Sequence, residues 1–111
     1  MSSLLVGTPP VAASAASASS LVLRTVPGSV DFVQCNAGST AGYLMLHNAT
    51  AAPSNGAVTP VCVWQMAANT TVSAGFDPPL YLSTGATLTF STTGPTTQTL
   101  SATAWFGGRI V

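Results

Sequence analysis

The sequence predicts an all-β fold: an antiparallel β-sandwich, jelly-roll or Greek-key like, with about eight strands and an extended N-terminal arm. Three observations predict it. From residue 21 onward, runs of β-branched, aromatic and Leu residues are punctuated by Gly, Pro and Asn at the spacing of a sandwich or barrel. Within several runs apolar and hydroxyl side chains alternate with period two, as in strands covered on one face. A chain of 111 residues, 47% of them hydrophobic, suits one domain with one modest core.

Residues 1–20 (MSSLLVGTPPVAASAASASS) read as a low-complexity arm of Ala, Ser and Pro with an apolar tip at Leu4, Leu5 and Val6. A helix is disfavoured there. Pro9-Pro10 can only open one, and the small residues that follow supply no amphipathic face. A secretory leader fits poorly too, because no Lys or Arg precedes the apolar part and Gly7 and Pro9-Pro10 interrupt it. The expected organisation is therefore an arm over 1–20 and a sandwich over 21–111.

The predicted strands are 21–26 (LVLRTV), 30–36 (VDFVQCN), 42–48 (GYLMLHN), 60–66 (PVCVWQM), 70–75 (TTVSAG), 79–82 (PLYL), 86–92 (ATLTFST) and 98–106 (QTLSATAWF). Alternation places Leu88 and Phe90 on a face opposite Thr87 and Thr89. It likewise sets Leu100, Ala102, Ala104 and Phe106 opposite Ser101, Thr103 and Trp105. Residues 49–60 (ATAAPSNGAVTP) carry Pro53, Asn55-Gly56 and Pro60 and read as a loop or wide hairpin connection. Residues 76–93 (FDPPLYLSTGATLTFSTT) read as a hairpin closed by Ser-Thr-Gly. Its strands lack the charges that normally guard against edge pairing, although Pro78-Pro79 can block the entrance of the first strand. Its neutral Thr face is expected to pack against another subunit without desolvating charge.

Charge sets the sharpest limits on function. Only Arg24, Asp31, Asp77 and Arg109 are charged, 4% of the chain, against roughly 25% in an average globular protein. Zero net charge leaves no field to hold a phosphate backbone, so no nucleic-acid partner is expected. No window supplies the roughly 20 apolar residues of a spanning helix, so no membrane partner is expected either. A neutral surface of Thr, Ser and Asn has little colloidal repulsion, which suits life inside an assembly.

The inventory of reactive groups is nearly empty: one His, two Asp, no Glu and no Lys. A Ser or Cys nucleophile could pair only with His47, and no nucleophile elbow surrounds any candidate. The chain is expected not to be an enzyme, with no catalytic residue, no cofactor and no metal site. A blue-copper site needs two His, and Cys35 and Cys62 lack zinc-ligand spacing. Those two Cys can face each other as a disulfide or remain buried thiols, and the missing secretory signal favours thiols. His47, on the side of its strand shared with Tyr43 and Met45, reads as a strand-end or interface residue. Trp64, Trp105, Tyr43 and Tyr81 are candidate stacking platforms for a sugar. Of these, Trp105 points away from the apolar face by parity, and a place over the core or beneath a neighbouring subunit is the simpler account. The triplets Asn48-Ala49-Thr50 and Asn69-Thr70-Thr71 are glycan acceptors only in a secretory pathway.

In order along residues 38–108 stand A-G-Y-L-M-L, N-G-A-V-T-P-V, F-D-P-P-L-Y-L-S-T-G-A-T-L-T-F-S-T-T and S-A-T-A-W-F. This series resembles small virion proteins of tailed bacteriophages. The resemblance omits the arm. It implies a β-sandwich that decorates or cements a capsid by occupying contacts between other subunits. The partner would be the major capsid protein or another virion subunit, and the oligomer a homotrimer. The protein would be made in the bacterial host cytoplasm and reside in the virion, on the capsid surface. The candidate assembly contacts are Leu4, Leu5, Val6, Pro9, Pro10, Phe76, Pro78, Pro79, Tyr81, Trp105 and Arg109. The alternatives are a tail or fibre component, disfavoured by the absence of repeats, and a secreted carbohydrate-binding or adhesion module.

Overall fold

A computed structural model describes the backbone of residues 11–13 and residues 17–110 in full. It contains ten strands: β1 Val11–Ala13, β2 Ser20–Arg24, β3 Gly28–Asn36, β4 Gly42–His47, β5 Gly56–Ala57, β6 Cys62–Met66, β7 Thr71–Leu82, β8 Ala86–Ser91, β9 Thr97–Gln98 and β10 Trp105–Ile110. The described residues include no helix. One sheet has the order β1-β10-β3-β7 and the other β2-β8-β4-β6, while β5 and β9 form a separate ribbon. Every pairing is antiparallel.

The pairing has a simple logic. With the ribbon set aside, β4 pairs with β6, β3 with β7, β2 with β8 and β1 with β10. The chain is thus one long hairpin doubled back between β4 and β6. Rolling that hairpin up adds the contacts β10 with β3 and β8 with β4, which is the jelly-roll arrangement. The inner faces of the two sheets meet in a core that includes Leu23, Val30, Val33, Leu44, Leu46, Leu88, Phe90 and Phe106. Phe90 is the largest of the side chains with no exposure.

Several sequence expectations change in three dimensions. The runs 70–75 and 79–82 are one strand, β7. Its register with β3 passes from Gly75 opposite Phe32 to Leu80 opposite Val30, so residues 76–79 bulge out of the ladder, with a cis peptide at Asp77-Pro78. Pro78 and Pro79 lie on the outer edge of the sheet, where a missing N–H costs no ladder bond. The expected hairpin over 76–93 is not a hairpin, because β7 and β8 belong to different sheets. Ser83, Thr84 and Gly85 carry the chain across, and the Asn48 side chain holds the crossing: its Oδ1 accepts from Thr84 N at 2.8 Å and its Nδ2 donates to Ser83 Oγ at 3.1 Å.

The run 98–106 also divides. The Leu100/Ala102 alternation fails: Leu100 is half-buried outside any strand and Ala102 is exposed in a turn. Strand β10 starts at Trp105 and continues through Gly107-Gly108, past the expected end at Phe106. Gly108 faces the core, where a Cβ would lie 2.7 and 2.9 Å from the two Leu23 methyl carbons, so only glycine lets Leu23 seat. Two strands come from unexpected places as well. Val11–Ala13 pair with Arg109, Gly108 and Gly107, and the 49–60 connection contributes β5. A stretch of the expected arm is therefore an edge strand of its own sandwich.

Phe90→Ala, which empties the centre of the core, is expected to cost about 3–5 kcal/mol. Urea denaturation measures it, and a loss below about 1 kcal/mol would contradict this packing.

Candidate functional site

The outer faces of the two sheets differ, and the difference locates the surfaces where this protein can act. On the β1-β10-β3-β7 sheet, Phe106, Gly108, Val33 and Cys35 point inward, so Trp105, Gly107, Arg109, Gln34 and Asn36 point outward. Cross-strand rows run Trp105–Asn36–Thr71 and Gly107–Gln34–Ser73. Asn36 Nδ2 donates to Thr71 Oγ1 at 2.9 Å, bracing the first row. The only ion pair joins Arg109 Nε to Asp31 Oδ1 at 2.9 Å and Oδ2 at 3.1 Å among the described residues. It is partly exposed and neutralises itself, so it is screened by solvent and contributes little to stability. At opposite ends of this face stand Trp105, 48% exposed, and Tyr81, 63% exposed. Tyr81 lies opposite Ser29 on β3 and Trp105 opposite Asn36, a separation along the strand on the order of 20 Å.

The other outer face is closed by the chain itself. Along β8, Thr87, Thr89 and Ser91 point away from the core, yet all three are buried. The Thr face was expected to meet another subunit. Instead the connections 48–61 and 92–104, joined through β5 and β9, lie over it. Hydrogen bonds fix this cover. Thr87 Oγ1 donates to Ala49 O at 2.9 Å, Thr99 N donates to Ser91 Oγ at 2.8 Å, and Leu100 N donates to Asn55 Oδ1 at 2.9 Å. At the centre, Gln98 Nε2 donates to Pro53 O at 2.7 Å, Thr89 Oγ1 donates to Gln98 Oε1 at 2.8 Å, and His47 Nε2 lies 2.8 Å from Thr89 Oγ1.

The direction of that chain follows from its far end. A carbonyl can only accept, so Gln98 turns its amide nitrogen to Pro53 and its oxygen to Thr89. The single Thr89 proton then goes to Gln98, which leaves His47 Nε2 as donor and assigns the tautomer. Burial disfavours the charged imidazole and lowers the His47 pKa below the usual 6.5, against a smaller opposing effect of hydrogen bonding to Gln98. Beside His47 opens a cleft of about 520 Å³, walled by Asn48, Pro53, Ala57, Val58 and Val61.

The structure scatters the expected assembly contacts. Tyr81, Trp105 and Arg109 share the open face. Phe76 is half-buried, packed against the core and tilted 57° to the Trp64 ring at 6.4 Å. Pro78 and Pro79 are exposed on the β7 bulge. Leu4, Leu5, Val6, Pro9 and Pro10 lie outside the described residues. Of the four aromatic candidates, Tyr43 and Trp64 are half-buried and cannot serve as stacking platforms. No three His, Cys, Asp or Glu side chains cluster among the described residues. Cys35 and Cys62 are free thiols. Burial pushes the Cys35 pKa up to about 12 and raises that of Cys62 less.

The His47–Thr89–Gln98 chain is absent from the sequence expectations. Parity did put His47 with Met45 and Thr87 with Thr89, but nothing in one strand's pattern says which distant segment covers it. Compared with protein-family models, curated proteins and solved structures, the chain matches none.

Thr89→Val removes both hydroxyl contacts and strands the His47 and Gln98 groups in a buried site, an expected loss of about 1–3 kcal/mol by chemical denaturation. In the native protein at mildly alkaline pH, Cys62 is expected to react with a disulfide reagent well before Cys35, which should need unfolding. Equal rates would contradict the placement of Cys35 in the core.

Proposed function

We propose that this chain is a structural assembly subunit: a decoration or cement protein of a tailed-phage head that binds across junctions of the major capsid protein. The observation that carries the reading is the open face of the β1-β10-β3-β7 sheet. It presents Trp105 and Tyr81 over neutral Gln34, Asn36, Ser73 and glycine, and its one ion pair is internally balanced. Interface energy concentrates in a few buried aromatic residues ringed by near-neutral contacts, and a partner covering this face desolvates almost no charge. The scarcity of titratable groups and the resemblance of residues 38–108 to phage virion proteins support the same reading. Homotrimer formation would multiply the contacts each unit makes with a lattice, turning modest single-site affinity into lasting occupancy.

The test is cosedimentation with empty shells of the major capsid protein of the phage that encodes the chain. The wild-type chain is expected to pellet with the shells. The double variant Trp105→Ser, Tyr81→Ser, checked for an unchanged melting profile, is expected to bind at least about tenfold more weakly, since each hot-spot residue is worth more than about 1.4 kcal/mol. Failure of the wild-type chain to pellet, or equal binding by the variant, would overturn the proposal.

A further inference from the structure

We propose that His47 is a proton-operated latch: on protonation it releases the layer formed by residues 48–61 and 92–104 from the outer face of the β2-β8-β4-β6 sheet. This inference is independent of the assembly reading above. The geometry is that of a single ionisable group set into an otherwise neutral fastening. His47 is 4% exposed, at the end of β4, and its Nε2 starts the donor chain through Thr89 and Gln98 to the Pro53 carbonyl. That chain ties the sheet (His47, Thr89) to both halves of the cover, since Gln98 belongs to the β8–β10 connection and Pro53 to the β4–β6 connection.

The second ring nitrogen decides what a proton does. Nε2 is already the donor, so an added proton goes to Nδ1. Among the described residues no buried side-chain nitrogen or oxygen lacks a hydrogen-bond partner. The only hydrogen bond drawn from a ring nitrogen of His47 among the described residues is that of Nε2 to Thr89, and His47 lines the cleft of about 520 Å³. A proton can therefore arrive without prior unfolding. The resulting imidazolium has nothing to neutralise it. From β8 it faces Thr87 and Thr89, from β9 Gln98, and from the 48–61 connection Asn48, Pro53 and Val58. Cys62 on β6, opposite Leu46, has its pKa raised by burial and is uncharged. On β2, Arg24 donates its Nε to Val26 O at 3.2 Å and is not among the residues that wall the cleft. Asp31, Arg109 and Asp77 belong to the other sheet.

A buried cation without a counterion is stabilised by admitting water. Here the neighbouring elements differ in how firmly they are held. Strands β3 and β10 sit in a four-stranded ladder, whereas the cover is anchored by a two-residue ribbon, side-chain bonds and isolated backbone bonds such as Val61 N to Leu46 O and Ser101 N to Phe90 O. Opening the cover hydrates the ring at the smallest cost in structure. The sign is fixed: a His whose pKa is lower in the closed state than in the open one binds its proton preferentially in the open state. The cover is thus fully stable above the usual 6.5 and loosens as pH falls through and below that value.

Amide hydrogen exchange of the full chain, corrected for intrinsic rates, tests this at about pH 7.5 and about pH 5. The wild-type protein is expected to lose protection in 48–61 and 92–104 at the lower pH while 28–36 keeps its own. His47→Gln keeps an N–H donor and cannot take up a proton, so it should show no such loss. Unchanged protection in the wild-type cover, an equal loss in the variant, or a loss spread evenly over 28–36 would each overturn the latch. Should the variant fail to fold, the single His makes an NMR titration of the wild-type ring unambiguous. The Gln98 side-chain amide must then shift with the same midpoint as the His47 ring, and a separate midpoint or no shift refutes the coupling.

Discussion

Strands β4 and β8 are buried on both faces, and a chain of 111 residues with two cations and two anions achieves this without placing any charge there. One face, with Leu44, Leu46, Leu88 and Phe90, is closed by the opposite sheet. The other, with Met45, His47, Thr87, Thr89 and Ser91, is closed by the chain's own connections. Hydroxyl groups can be buried there only because each finds a partner: Thr87 on Ala49, Thr89 on Gln98, Ser91 on Thr93 and Thr99. The covering segments have little regular structure of their own, so these side-chain bonds supply much of what orients them. The cleft and the position of His47 depend on that attachment.

The two outer faces consequently have different prospects. A face already satisfied by its own chain offers a partner few unpaired groups. The opposite face is open, and apart from the self-balanced Arg109–Asp31 pair its polar side chains are amides and hydroxyls that exchange water for a partner at low cost. Its two exposed aromatics lie at opposite ends, so a small ligand would reach one of them and a broad protein surface both. This contrast favours protein assembly over small-molecule recognition.

The jelly roll by itself specifies no activity. Its importance here is mechanical. Pairing each strand with its counterpart across a single doubled hairpin puts the first and last of the described strands, β1 and β10, side by side in one sheet. The edge of that sheet opposite β1 is β7, where Pro78 and Pro79 bulge out and interrupt the ladder a neighbouring strand would need. The scarcity of charged guards is compensated in part by this local geometry and in part by burial of the Thr face.

Local pattern determined much of this protein. The β-rich runs, the inward Leu88 and Phe90, the outward Trp105 and the shared side of Tyr43, Met45 and His47 all follow from period two, because alternate side chains of a strand must leave on opposite faces. The shortage of charge was equally plain, and with it the limit on chemistry. Period two cannot say what lies over either face. The Thr row along β8 reads as solvent-facing or intersubunit, and only long-range folding, which carries Pro53 and Gln98 onto it from 45 residues apart, makes it interior. The same holds for Gly107-Gly108, outside the strand expected over 98–106 and yet within β10, where Gly108 leaves room for Leu23. It holds again for residues 76–93, where a turn that could close a hairpin crosses between sheets because Asn48, distant in sequence, binds it. In each case the deciding contact joins segments far apart along the chain, and a sequence pattern records only neighbours.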